Sequence, residues 1–449
     1  MSHKTLKLSV LAAAIAVAAG QAHSAAFQLA EQNTTGLGRA YSGEGAVADN
    51  AAVLGRNPAA MTLFERPALS TGAVYINPEV DVEGKGAFAQ QGKAMGLPTD
   101  AKDIADDAVV PFFYYVHPIN EQWVAGFGAF TNYGLATNYP NDYYAGPVAG
   151  KTSLKTLNLN PNIAVKVNNQ LSLGLGFNAV YADAELIRHA GAHYDQLLGQ
   201  TTQGILATNP GLSAAQASQL AAQGLAQQGF EGRGTEVARL TGDDWGYGWN
   251  TGILFEADEN NRWAITYRSK VDLTFDGQYS GVSSGFQTVP GKLDLTLPAI
   301  AELSGFNKVS PDWAVHYGLM WTEWRHFDEL KATSSQCNNG VCLEKPEQFK
   351  NSWRISAGAT HYLNEQWTLR GGLAYDISPV QEQYRSISIP DSNRTWYTLG
   401  ATYAYNQNLS VDAAFAFLDG KKVDVVEDGF EFISGGDAYL LGLQMNYRF

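Results

Sequence analysis

The sequence predicts an all-β protein, a 14-stranded antiparallel transmembrane β-barrel with an N-terminal hatch in its lumen. Two observations carry the barrel: fourteen segments alternate apolar with polar residues at period two, and their connections are short on one side and long on the other. Composition agrees, with 12% aromatic residues, 46 glycines and only 16% charged residues in 449. Beyond the N-terminus no segment approaches the ~18 consecutive apolar residues of a helical span, which excludes a helical membrane protein. Lipid cannot satisfy the free edge of a sheet, so the sheet is expected to close.

Residues 1–24 come first. Lys4 and Lys7 precede an apolar stretch from Leu8 to Gly20, and Ala22-His23-Ser24 leads into small residues. This is the pattern of a secretory signal peptide cleaved near Ala25, because the stretch is shorter than the ~20 residues that a spanning anchor needs. Loss of the two lysines takes the formal charge from −14 to −16, a balance that argues against nucleic acid or an anionic surface as a partner.

Residues 25–66 lack strand alternation and are rich in Gly and Ala. They read as a hatch packed inside the barrel, with Arg39, Glu44, Asp49 and Arg56 as polar contacts to its interior; a disordered periplasmic tail is the alternative. The barrel proper, 67–449, then holds strands at about 67–80, 109–117, 123–137, 153–167, 171–187, 235–256, 262–278, 292–307, 313–330, 350–363, 367–379, 394–405, 409–420 and 437–449. The last is the clearest. Tyr439, Leu441, Leu443, Met445, Tyr447 and Phe449 share one face, and Gln444, Asn446 and Arg448 stand on the other. The same alternation marks Trp353, Ile355 and Ala357 against Arg354 and Ser356, and Trp367, Leu369 and Tyr375 against Thr368, Arg370 and Asp376. Many segments exceed the ~9 to 11 residues of a membrane-crossing strand. PINEQ, NNQ, DENN, KVSPD, NEQ and NQN are the short turns, alternating with seven longer connections, of which 188–234 is the longest.

Chemistry for an enzyme is sparse. No GxSxG elbow, HExxH or phosphate loop ahead of a helix is present, and GLGRAYSG follows no strand. His189 and His193 share a loop without a third ligand, so neither a metal nor any other cofactor is expected. Cys337 and Cys342, the only cysteines, close a short CNNGVC loop that reads as a local disulfide, with free thiols as the alternative. In the long loop, Leu212, Leu220, Leu225 and Phe230 suggest weakly amphipathic helical turns, either a contact for an apolar ligand or a cap over neighbouring loops.

The ordered series FQL (27–29), GLGRAYSGEGA (36–46), RNPA (56–59), GAVYI (72–76), NYGLAT (132–137), LGFNAVYA (175–182), TYRS (266–269), LKATS (330–334) and RSISIPD (385–391) carries a resemblance along the whole chain. It resembles the FadL family of long-chain fatty acid transporters of the Gram-negative outer membrane. The resemblance implies passive uptake of long-chain fatty acids and related hydrophobic compounds by a protein expected to be a monomer among outer-membrane lipids. A channel for aromatic hydrocarbons is the runner-up; a general porin and an outer-membrane hydrolase are further alternatives.

The resemblance also implies roles for single residues. Phe27 matches an aromatic that reaches the ligand pocket, and Arg188 and Lys345 match cations that meet the ligand headgroup, where a charge-assisted hydrogen bond suits a carboxylate. Asn57-Pro58-Ala59 matches the hatch motif beside an inward kink in the wall, with Gly134 as the kink candidate. The loop 279–291 is shorter than its family counterpart, which leaves the outer capture groove undefined, and CNNGVC has no counterpart in the pattern.

Overall fold

The computed structural model describes residues 26–449, so the signal segment 1–24 lies outside the described residues. Fourteen antiparallel strands close into one barrel. They are β1 (Ala68–Gly84), β2 (Ala108–Pro118), β3 (Trp123–Phe130, resuming at Gly134–Asn138), β4 (Gly150–Lys166), β5 (Leu171–His189), β6 (Glu236–Asp258), and β7 (Asn261–Arg268 with Val271–Gly281). The circuit continues with β8 (Val289–Leu297 with Ile300–Ser310), β9 (Trp313–Thr322 with Glu329–Thr333), β10 (Val341–Pro346 with Ser352–Tyr362), β11 (Trp367–Asp376), β12 (Arg394–Ala404), β13 (Leu409–Gly420 with Val423–Glu427), and β14 (Phe430–Arg448). Each pairs with its predecessor, and β14 returns to β1 in a seam running from Ala68↔Arg448 to Gly84↔Phe432.

The alternation in the sequence becomes an inside and an outside. Tyr439, Leu441, Leu443, Met445, Tyr447 and Phe449 are all exposed on the outer wall, and Leu440 and Gln444 between them are buried in the lumen. Trp123, Trp263, Trp313 and Trp367 stand exposed next to the short turns, and Trp245, Trp353, Tyr397 and Tyr439 nearer the opposite end. Two aromatic girdles flanking an apolar band mark the lipid-facing zone.

Four of the six short turns share one device. Asn120, Asn168, Asn364 and Asn406 each accept two backbone N–H groups, from residues two and three positions on, so the polar backbone of the turn is satisfied by its own side chain. The opposite rim carries the long connections, among them the helices α1 (Gly86–Met95), α2 (Ala192–Thr208) and α3 (Ala214–Gln227).

One expected long connection is corrected. Residues 421–436, read as a loop, instead extend β13 and β14 beyond the membrane zone and meet in a two-residue turn at Asp428-Gly429, both with positive φ. An Asp-Gly pair is the residue choice such a turn favours.

Residues 26–66 fill the lumen, and all but Glu65 and Arg66 are buried or half-buried. Arg39 is fully enclosed, bonded to Glu44 at 2.8 Å and Asp49 at 3.1 Å; Asp49 in turn meets Arg370 of β11 at 3.0 Å, and Arg56 meets Glu302 of β8 at 3.5 Å. The four charged hatch residues predicted to contact the interior therefore form two chains of ion pairs, one ending on each of two strands.

Candidate functional site

A narrow apolar slot lies between the hatch and the wall. Phe27, Leu135, Leu154, Leu186, Leu240 and Phe275 are among the residues that enclose its roughly 50 Å³. Phe27 occupies one end, its ring edge-on to Trp324 at 4.5 Å and to Phe327 at 5.3 Å. These are favourable aromatic geometries, worth about 0.5–1.5 kcal/mol each beyond burial.

Phe27 is held there by its backbone. β3 breaks after Phe130, and Thr131, Asn132 and Tyr133 turn into the lumen before pairing with β4 resumes at Gly134. The hatch docks on the break: Leu29 N–H donates to the Asn132 carbonyl at 2.7 Å, and Gly134 N–H donates to the Phe27 carbonyl at 2.9 Å. β2 pairs with β3 only from Phe113↔Ala129 downward, so the stretch Ala108–Phe112 has β1 on one side and, among the described pairings, no β3 partner on the other. The break thus leaves an interruption in the wall beside Phe27.

Asn57-Pro58-Ala59 sits elsewhere. Gly174 of β5 and Gly252 of β6 are register partners, and together they form a notch without side chains. A Cβ on Gly174 would stand 2.3 Å from the Ala59 nitrogen, and one on Gly252 would stand 1.9 Å from Asn57 Oδ1. The motif caps itself, with Asn57 Oδ1 accepting from Ala59 N–H at 2.9 Å and Asn57 Nδ2 donating to the Gly45 carbonyl at 2.7 Å. Two different parts of the hatch therefore hold the two features that the sequence associated: residues 27–29 bridge the break, and residues 57–59 fill the notch.

A second cavity, about 250 Å³, opens on the side of the long connections and holds both predicted cations. Arg188 lies at the end of β5 and donates through Nη1 to the Ile187 carbonyl at 2.8 Å and to Thr152 Oγ1 at 3.2 Å. Lys345, at the end of the first segment of β10, donates to Ser388 Oγ at 3.0 Å and to Ser386, and pairs with Glu427 at 2.5 Å. The cavity meets the apolar slot at Leu186, which lines both, and Thr152, a slot residue, is bonded to Arg188. A charged chamber thus adjoins an apolar slot.

Sequence reasoning did not find Glu427, Glu347, Ser386 or Ser388. Glu427 accepts from Lys345, Ser386 and the Ile387 N–H. Glu347, in the gap of β10, is buried 3.8 Å from the Lys345 ammonium. Burial pushes its carboxyl up to about 7, and Glu427 adds to the rise while Lys345 and Arg188 oppose it. In the sequence only RSISIPD points to this cluster, and its two serines face Lys345.

The remaining candidates lie in the outer loops. Cys337 and Cys342 have sulfurs 2.15 Å apart. Leu225 is buried in α3, Leu220 is exposed, and Leu212 lies in the linker before Ser213, which caps α3. Phe230 meets Phe286 edge-on at 5.1 Å, so the loop 279–291 is tied to the end of the helical loop. His189 is buried and His193 lies in the first turn of α2; no group of three or more His, Cys, Asp or Glu able to hold a metal exists among the described residues.

Comparison with known proteins matches residues 15–449 to the model described as "Outer membrane protein transport protein (OMPP1/FadL/TodX)". The long-chain fatty acid transport protein of Escherichia coli K12 is 44% identical, with all of both chains aligned. Outer membrane protein P1 of Haemophilus influenzae Rd is 38% identical over 99% of this chain and all of its own. Among solved structures, a Pseudomonas aeruginosa FadL homologue superposes with a TM-score of 0.78 at 21% identity, covering 95% of this chain and all of the other. The toluene transporter TodX of Pseudomonas putida superposes at 0.66 and 18% identity, with the same coverage. At such identities the structural likeness speaks for the fold.

Proposed function

Since the chain belongs to the OMPP1/FadL/TodX family of outer-membrane transport proteins, we propose that it takes up long-chain fatty acids and related hydrophobic compounds, passively and as a monomer. The outer membrane of a Gram-negative bacterium is its location. In this reading residues 25–66 are the hatch, residues 67–449 are the barrel, and the chain has no hydrolytic step. Surrounding outer-membrane lipids receive the product.

The observation that carries the reading is the junction at Leu186 between a chamber holding two cations and an apolar slot. An ionised carboxylate fits the chamber and an alkyl chain fits the slot, which is the polarity profile of one fatty acid. Lys345 already bonds to Glu427, so the incoming carboxylate shares or displaces that partner, and Arg188 supplies planar donors whose present acceptors are neutral oxygens. The alkyl chain competes with Phe27 for the slot. Displacing Phe27 strains the two hydrogen bonds that dock the hatch on the β3 break, and the interruption between β2 and β3 becomes a sideways route into the bilayer. The Cys337–Cys342 bond stiffens the outer loop between β9 and β10.

A second reading, uptake of aromatic hydrocarbons, is favoured by one feature: Phe27, Phe275 and Phe327 in the slot offer ring faces and edges. Growth on oleate as sole carbon source, in a host deprived of its own transporter, separates the two. Intact protein is expected to rescue growth, while Arg188→Ala/Lys345→Ala, Asn57→Ala/Pro58→Ala and Phe27→Ala fail at equal surface expression. Absence of rescue by the intact chain, together with toluene uptake, would replace the first reading by the second.

A further inference from the structure

We propose that binding of an ionised carboxylate beside Lys345 is coupled to proton uptake from solvent by the Glu347 carboxyl group. The inference rests on the transport reading above and adds to it a role for Glu347 as a positioning residue that makes headgroup capture sensitive to pH.

Two carboxylates, Glu347 and Glu427, stand near one ammonium. Lys345 is turned toward Glu427 at 2.5 Å, and Glu427 also takes N–H and O–H donors from Ile387 and Ser386. Glu347 keeps only a 3.8 Å approach, too long for a hydrogen bond, and neither of its carboxylate oxygens has a hydrogen-bond partner. Its side chain is 1% exposed. A buried carboxylate without donors is far costlier as an anion than as the neutral acid.

The charged and titratable surroundings are few. Lys345 lies on the same strand, Glu427 comes from β13 and Arg188 from β5. Tyr139, after β3, lies near Arg188 and Glu427, and Arg385, Glu344 and Asp428 complete the chamber wall. On the remaining side the backbone carbonyl of Asp328 accepts the Glu347 N–H at 2.7 Å.

With Glu347 neutral, Lys345 and Arg188 against Glu427 leave one uncompensated positive charge at the centre, which a single ligand carboxylate cancels. With Glu347 ionised the centre is already neutral, and the ligand would bring an excess negative charge into a poorly solvated place. The ligand anion therefore raises the proton affinity of Glu347 further, and by reciprocity the proton raises the affinity for the ligand. The sign follows from this. The bound state holds more protons than the free state through the window above about pH 7, so affinity falls as pH rises there. A fatty carboxylate is itself ionised throughout that window, since its own titration lies near the ordinary carboxylate range.

The test is calorimetric titration of the full chain, held in amphipol, with decanoate in two buffers of different ionisation enthalpy, using decanol as the uncharged control. If the ligand raises the proton affinity of Glu347 about tenfold, about half a proton is taken up per decanoate at about pH 7.5, and Kd rises about sixfold from pH 6.5 to 8.5. Glu347→Gln, checked for folding by heat-modifiable mobility, is expected to bind decanoate with no uptake and a flat Kd across the range. Binding by wild type without proton uptake overturns the proposal and leaves the transport reading standing, as does equal uptake with decanol or with Glu347→Gln. Absence of decanoate binding overturns both.

Discussion

Gly174→Ala is the sharpest probe of how the hatch is held. The added methyl would sit 2.3 Å from the Ala59 nitrogen and 2.5 Å from the Pro58 carbonyl carbon, where ordinary contact begins at 3.4 Å. Backbone cannot rotate away as a flexible side chain can, so the 57–59 turn must retreat by about 1 Å or the strand must bend. Overpacking of this kind costs about 1–3 kcal/mol, and loosening the Asn57 cap on Ala59 adds about 0.5–2 kcal/mol. A total of about 1.5–5 kcal/mol corresponds to a fall of about tenfold to a few thousandfold in the docked-to-undocked ratio of the turn. Hydrogen exchange of the peptide spanning 51–64 reads that ratio directly, because Asn57 N–H and Ala60 N–H are protected by bonds within the hatch. Gly224→Ala, on α3 with open space around it, is the matched control and should change nothing there. Unchanged protection of 51–64 in Gly174→Ala, with the strands equally protected, would refute the idea that the glycine pair is the seat of the motif.

Arg39→Ala leaves Glu44 buried and unpaired and deprives Asp49 of one of its two cations, so hatch or whole-chain stability should fall by about 3–5 kcal/mol, measured as faster protease cleavage within 26–66 or a lower unfolding midpoint. Leu443→Arg places a charge mid-strand on the lipid side and should cost about 2–4 kcal/mol in denaturant unfolding from lipid vesicles, whereas a polar residue at the lumenal Gln444 position is already tolerated.

The strands were legible because lipid on one side and a polar lumen on the other enforce a contrast that a period-two reading detects. Where that contrast ends, legibility ends too. On β7 and β8 above the girdle, Asp272, Thr274, Asp276 and Asp294 face outward, so the alternation has no apolar partner face to lipid and the strands outrun their predicted limits. The same loss hid the β13–β14 extension, although Asp428-Gly429 announced its turn. In the site, Arg188 and Lys345 were reachable only through resemblance, and the structure brings both to one chamber. Glu347 and Glu427 were unreadable for a physical reason: a glutamate followed by a polar residue in an outer segment carries no local mark of burial. Gly174 and Gly252 looked like strand glycines, and only the hatch pressed against them gives them a purpose.

The seam between β1 and β14 has a consequence for assembly. It pairs residues at opposite ends of the barrel sequence, Ala68 with Arg448, so its closure entropy is the largest in the molecule and is recovered only once every other strand is in place. Because residues 26–66 lead directly into β1 and bond to Asn132, Glu302 and Arg370 far along the chain, the ring that closes last closes around cargo already aboard. Until then β1 offers an unpaired edge, which makes the nascent barrel most vulnerable to pairing with a foreign strand at the moment its own final strand is still being delivered.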